Sequence, residues 1–272
     1  MRNLAFVCEG ALAMNHRLRT AERASRAAGK LLCDMLGSAL GVRSKDVRSN
    51  LVTEADTASE RLIREILTAD FPGDAILGEE GGTSGDVRGG RWIVDPLDGT
   101  TNYAHGYRCF SVSIAYESGD GLQVGVVYDP MADELFSAAV GAGAQLNGAP
   151  LHVSARSDLR DGLLVTGFPP IGADDDLDNL RVMGRFMRRA QAIRRDGSAA
   201  LDLCYVAAGR FEGFWEAGLH AWDVAAGALI VSEAGGRVSD YSGAPLRVDC
   251  GELVASNGLV HDAMLEVLHD RA

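Results

Sequence analysis

The chain lacks a C-x-x-C pair, a long apolar run and an excess of basic charge, and each absence removes a class of function. Its five cysteines, Cys8, Cys33, Cys109, Cys204 and Cys250, are scattered and odd in number. That pattern suits a reduced, cytoplasmic protein and argues against a disulfide framework. No apolar run approaches the roughly 20 residues that span a bilayer, so no membrane partner is expected. Twenty-six Lys and Arg face 38 Asp and Glu, a net charge of -12, which argues against a nucleic-acid surface. An anionic substrate stays compatible with that charge if metal ions supply the local positive field. Of the six histidines, neither His105 nor His220 has a second His or Cys at ligand spacing, which argues against a transition-metal site. The opening "MRNLAFVCEGALAM" has one early Arg and an apolar stretch broken by Glu9. A leader peptide is therefore not expected, and Met1 and Met14 are both compatible with a start.

What is present is an ordinary globular composition, 47% hydrophobic and 24% charged over 272 residues, which leaves ample material for a core. Helical spacing runs from Leu18 to Leu40, stopped by Gly41, and again after "NLVTEAD" as far as Pro72. The period then shortens. "AILGEE" and "RWIVDPL" read as strands separated by the loop "GGTSGDVRGG". Phe110, Val112, Ile114 and Tyr116 alternate with small or polar residues, as do Leu122, Val124, Val126 and Tyr128, predicting neighbouring half-buried antiparallel strands. Asn147-Gly148 is a hairpin signal. The second half alternates strands ("LLVTGFP", "GFWE", "GELVASN") with helices, among them "LDNLRVMGRFMRRAQ" and "WDVAAGALIVSEAGG". Stacked layers of sheet and helix follow, with an N-terminal lobe (1–150) and a C-terminal lobe (151–272) sharing one interface. On the first of those helices Arg181, Arg185, Arg188 and Arg189 read as a solvated face opposite Val182, Met183, Phe186 and Ala190.

Carboxylates recur at the ends of these elements: Asp56, Glu79, Glu80, Asp95, Asp98 and Asp223. Taken singly, Asp56 or Asp223 reads as a helix cap and Glu79 as a solvated loop residue. Taken together they point elsewhere, because four or more carboxylates in one pocket raise one another's pKa unless cations neutralise them. A pair of Mg²⁺ ions would do so and could clamp the attacking and leaving oxygens of a displacement at phosphorus. Gly99, Thr100 and Thr101 follow directly, where the backbone N–H groups of an opening helix turn would face a phosphate.

"WIVDPLDGTTNY", with "LVTEAD", "ILGEE" and "HAWDVAAGALIVSEAGG" in that family's order, resembles the inositol monophosphatase family of Mg²⁺-dependent, lithium-sensitive phosphatases. The similarity runs from about Leu18 to the end. It implies an α/β fold, a layered αβαβα sandwich, and a homodimer. It also implies one metal on Glu79, Asp95 and the Leu97 carbonyl, a second on Asp95, Asp98 and Asp223, and a third ion near Glu79. Thr100, hydrogen-bonded to Asp56, would orient the attacking water, with Glu79 helping to hold it. Lys45 matches a lysine of the family's loop near the metals. Gly197, Ser198, Ala199 and Glu216 align with the family's substrate-contacting segment. A carboxylate at Glu216 suits a polyol, since it can accept from two ring hydroxyls. The resemblance therefore favours myo-inositol 1-phosphate as substrate. Fructose 1,6-bisphosphate, histidinol phosphate and adenosine 3',5'-bisphosphate stay open, as does a partner role in transcription or ribosome assembly.

Overall fold

The computed structural model describes residues 2–37, 43–44, 51–168 and 176–270. Helix α1 (Arg2–Met35) leads through a small ribbon, β1 (Arg43–Ser44) and β2 (Leu51–Val52), to α2 (Glu54–Asp70). Strands β3 (Ala75–Gly78), β4 (Gly82–Ser84) and β5 (Arg91–Asp98) follow, then the one-turn helix α3 (Thr100–Ala104). Next come β6 (Ser111–Ser118), β7 (Gly121–Asp129), β8 (Glu134–Ala139), β9 (Gly143–Leu146) and β10 (Ala149–Leu151). β3 to β10 form an eight-stranded sheet ordered β10-β9-β8-β7-β6-β5-β3-β4, in which only β3 and β5 pair in parallel.

The second half runs β11 (Leu163–Thr166), α4 (Asp176–Phe186), β12 (Ala192–Arg194), α5 (Ala199–Ala207) and β13 (Gly213–Ala217). It ends with α6 (Ala221–Glu233), β14 (Arg237–Ser239), β15 (Glu252–Ser256) and α7 (His261–His269). Its five strands form a mixed sheet ordered β12-β11-β13-β15-β14. Three core clusters define the layers. Ala21, Ala24, Ala28 and Leu32 of α1, with Ile63 and Leu67 of α2, pack on Val112, Ile114 and Val126 of the larger sheet. On its other face Ala115 and Val127 meet Leu203 of α5 and Ala226 of α6, which also cover Phe214 and Ala255 of the smaller sheet. Phe186 of α4 and Met264 of α7 close the outside on Trp215 and Val254. The result is an αβαβα sandwich.

Several sequence expectations need correcting. The first helix begins at Arg2, not Leu18, and ends at Met35, because Gly37 takes the left-handed conformation (φ +79°) that closes helices, four residues before Gly41. The loop after β3 contains a strand, β4, paired antiparallel with β3. Arg185 and Arg189 are not a free solvated face: Arg185 Nη1 donates to the Leu268 carbonyl (3.3 Å) and Arg189 pairs with Asp270 (2.7 Å). The middle strands are buried on both faces, not one, since Ser111 through Tyr116 are all buried. Their alternation of large and small residues separates a thick layer from a thin one. Small residues face the central helices, and at Gly125 the approach is so close that a Cβ would lie 2.7 Å from the Ala226 carbonyl oxygen. Across α6, a Cβ at Gly227 would lie 2.6 Å from the Leu203 side chain. The central layer is thus set by backbone proximity. Gly125→Ala should destabilise by about 1–3 kcal/mol by overpacking. A thermal melt is the check, and an unchanged midpoint would mean that α6 shifts freely.

Candidate active site

β5 delivers two aspartates because its pairing slips. The β5–β6 register is regular as far as Asp95 opposite Ser113, then shifts before Asp98 opposite Ser111. Pro96 and Leu97 occupy the bulge, which re-aims the strand end. Leu97 N–H donates to Asp95 Oδ1 (3.0 Å) and Ser59 of α2 donates to the Pro96 carbonyl (2.8 Å). Asp95 is 2% and Asp98 8% exposed. Gly99 follows with φ +93°, and a Cβ there would sit 2.9 Å from the Cys109 carbonyl, so only glycine turns the chain into α3 at this point.

Asp56 caps α2, as its sequence position suggests, and its other oxygen reaches Thr100. At the third position of α2, its Oδ2 accepts from Thr53 N (2.8 Å) and Thr53 Oγ1 (2.5 Å), a capping box. Its Oδ1 lies 3.0 Å from Thr100 Oγ1, which stands equally 3.0 Å from the Leu97 carbonyl. Asp223 repeats the arrangement on α6, its Oδ2 accepting from His220 N at 2.7 Å. Glu79 follows β3, with its N–H donated to the Val94 carbonyl of β5 (3.2 Å). Asp98 Oδ2 accepts from Ser198 Oγ (2.5 Å) and Ala200 N (2.8 Å), which ties the aspartate turn to the start of α5.

The strongest charge effects on these carboxylates come from one another. Burial, then Glu79, Asp98 and Asp223, push Asp95 well above the ordinary carboxylate range. Asp98 is pushed up to about 6, burial outweighing its hydrogen bonds from Ser198 and Ala200. Asp223 is raised by burial, against the His220 N–H, with Asp98, Glu79 and Glu216 adding. Among the described residues no three His, Cys, Asp or Glu side chains close on a single metal position. The donors are hard oxygens, carboxylates plus a carbonyl, which is the set Mg²⁺ prefers.

The substrate-segment residues lie beside this cluster. Gly197 (φ +86°) and Ser198 precede α5, whose first residue is Ala199. Asn102 of α3 donates to the carbonyls of Cys109 (2.7 Å) and Asp196 (2.8 Å), which ties the threonine turn to that segment. Thr101 is exposed. Glu216, 8% exposed at the end of β13, lies against Gly167, where a Cβ would overlap its carboxylate. Burial pushes it up to about 8; Arg195 opposes the shift and Asp98 adds to it. Lys45 falls outside the described residues. Sequence reasoning passed over Asp202 and Arg195. Asp202 is 1% exposed on α5, its Oδ1 has no hydrogen-bond partner among the described residues, and burial with Glu216 raises its pKa well above the ordinary value. A lone acid in the apolar run "AALDLCYVAAG" was the available signal.

The sequence profile of the inositol monophosphatase family matches residues 14–271. The Nus factor SuhB of Pseudomonas aeruginosa is 45% identical over 94% of this chain and 96% of its own length. An inositol-1-monophosphatase of Synechocystis is 43% identical over 92% of this chain and 88% of its own. The crystal structure of the extragenic suppressor protein suhB from Bartonella henselae superposes with a TM-score of 0.90 at 38% identity, covering 94% of this chain and all of that one. Sequence and fold thus agree, and the chain belongs to the inositol monophosphatase family.

Proposed function

We propose that the chain is a Mg²⁺-dependent phosphomonoesterase whose preferred substrate is myo-inositol 1-phosphate. The observation that carries this is the carboxylate cluster, in which burial, then Glu79, Asp98 and Asp223, disfavour Asp95 as an anion. In this reading Glu79, Asp95 and the Leu97 carbonyl would hold one ion, Asp95, Asp98 and Asp223 a second, and Glu79 would be the residue nearest a third. Asp95, Asp98 and Asp223 each have one oxygen on the scaffold, at Leu97 N, at Ser198 and Ala200, and at His220 N respectively. The other oxygen of each is the one assigned to a cation. Bound Mg²⁺ supplies Lewis acidity at phosphorus and lowers the pKa of the attacking water.

The chain's own residues orient the reactants. A hydroxyl has one proton, so Thr100 donates either to Asp56 or to the Leu97 carbonyl. With that carbonyl engaged, the proton goes to Asp56, and a Thr100 lone pair is then turned to accept from the water. Gly99, Thr100 and Thr101 are assigned to the phosphate. Gly197, Ser198, Ala199 and Glu216 are assigned to the polyol, with Glu216 accepting from ring hydroxyls. Among the described residues the thiols of Cys33, Cys109, Cys204 and Cys250 are free, which supports a cytoplasmic location, and the family's homodimer is proposed for this chain too.

A second reading, a partner role in a transcription complex, is favoured by the name of the 45% identical relative, a Nus factor. Co-purification of transcription proteins with a phosphatase-dead chain would support it, and the two roles are compatible.

Four measurements test the enzymatic reading. In a phosphate-release screen, inositol 1-phosphate should exceed fructose 1,6-bisphosphate, histidinol phosphate and adenosine 3',5'-bisphosphate in kcat/KM. Asp95→Asn should abolish release, and LiCl but not KCl should inhibit it. No Mg²⁺-dependent release from any of the four would refute the proposal. Thr100→Ala should lower kcat by about a hundredfold or more with little change in KM. A KM effect alone would show that Thr100 binds substrate and does not orient water.

Glu216 gives a pH test. Its folded pKa, about 8, lies above the ordinary 4.5, so the folded state holds the proton more tightly. The stability this contributes is complete below the unfolded value and is lost as pH rises through about 8. In metal-free protein, Glu216→Gln should melt increasingly above wild type as pH rises from about 5 to about 9, with the gap closing at the acid end. A gap that does not change with pH would contradict the burial of an ionisable carboxyl there.

A further inference from the structure

Glu60 lies one helical turn beyond Asp56 on α2 and takes no part in the chemistry above, yet it is only 3% exposed. Its Oε2 accepts from Glu80 N (2.7 Å) and its Oε1 from Gly81 N (2.9 Å), the two residues directly after Glu79. Arg64, one turn further along α2, donates Nε to Glu60 Oε1 (2.7 Å), Nη2 to the Gly82 carbonyl (2.7 Å) and Nη1 to Ser84 Oγ (2.8 Å). Glycines on either side admit this carboxylate. A Cβ at Gly78 would lie 2.5 Å from Glu60 Oε1, and one at Gly81 2.6 Å.

The backbone that carries Glu79 is therefore fastened twice. Its own N–H is held by Val94 of β5, the strand that presents Asp95, and the next two N–H groups are held from α2, the helix that presents Asp56. Hydrogen bonding alone does not require this. The groove bordered by Thr57, Arg61, Glu65 and Gly81 opens to solvent, so water could serve these N–H groups without burying a charge. A buried carboxylate with a bidentate grip on one turn fixes its direction in a way that water would not.

We propose that Glu60, oriented by Arg64, is a positioning residue that sets the Glu79 backbone and so determines Mg²⁺ affinity. This rests on Glu79 being a metal ligand in the proposed function. Partners that orient ligating groups are typically worth 10–100-fold in metal affinity. The test is calorimetric titration of Mg²⁺ into the metal-free full-length chain, with no substrate present, alongside thermal melts. Glu60→Gln keeps the shape but leaves one acceptor oxygen, so its amide N–H₂ faces the Glu80 N–H or, flipped, those of Gly81 and Arg64. Gly81→Ala keeps the charge but displaces it. Both variants should fold and bind Mg²⁺ about tenfold or more weakly, with wild-type KM for substrate at saturating Mg²⁺. Glu65→Gln, exposed on the same helix, should bind as wild type does. Folded variants with wild-type Mg²⁺ affinity would overturn the assignment, and so would failure of both to fold, which would make the pair a purely structural element. A wild-type chain that binds no Mg²⁺ would instead refute the proposed function, and this inference with it.

Discussion

Glu79, Asp95, Asp98 and Asp223 are brought together from the end of β3, the bulge of β5 and the first turn of α6, with Asp95 and Asp98 buried and Glu79 and Asp223 half-buried beside them. Isolated, such a group would protonate or open, since like charges in low dielectric raise one another's pKa by units. The scaffold resists both. Backbone N–H groups of Leu97, Ala200 and His220 and the hydroxyl of Ser198 each hold a carboxylate oxygen. α6 can deliver Asp223 to β5 only because Gly125 lets that helix rest on the sheet backbone. The layering of the fold thus serves one local requirement, a set of hard oxygen donors that a divalent cation can complete.

Asp98 also links metal chemistry to substrate choice. Its Oδ2 receives both Ser198 and Ala200, so the segment assigned to the polyol is anchored on a carboxylate assigned to an ion. Asn102 makes a second tie from α3 to Asp196. Around these fixed points stand Glu216, Asp202 and Arg195, whose charges act on one another and which carry none of the metal roles. Through Asp98 and Glu216 this group is electrostatically linked to the carboxylate cluster.

Much of this was legible in the sequence wherever a local rule and the fold agree. "LVTEAD" and "AWDVAAG" read as helix starts, and both aspartates do cap while also facing the site. The hairpin at Asn147-Gly148 follows from residues that tolerate positive φ, and both adopt it. Long-range packing was not legible. Nothing local separates Gly37 from Gly41 as the end of α1, and alternation along β6 does not reveal that a helix covers the polar side as well. The parallel pairing of β3 with β5, around a loop that itself contributes β4, depends on that long-range fold. Asp202 and Arg195 gain meaning only from spatial neighbours far away in sequence.

The central claim, that the buried carboxylates exist to hold a pair of cations, is tested most directly by anomalous diffraction from crystals of the full chain grown with Mn²⁺ in place of Mg²⁺. The account expects two peaks sharing Asp95, one completed by Glu79 and the Leu97 carbonyl and the other by Asp98 and Asp223. No peak at Asp95, or a single ion held without it, would contradict the account.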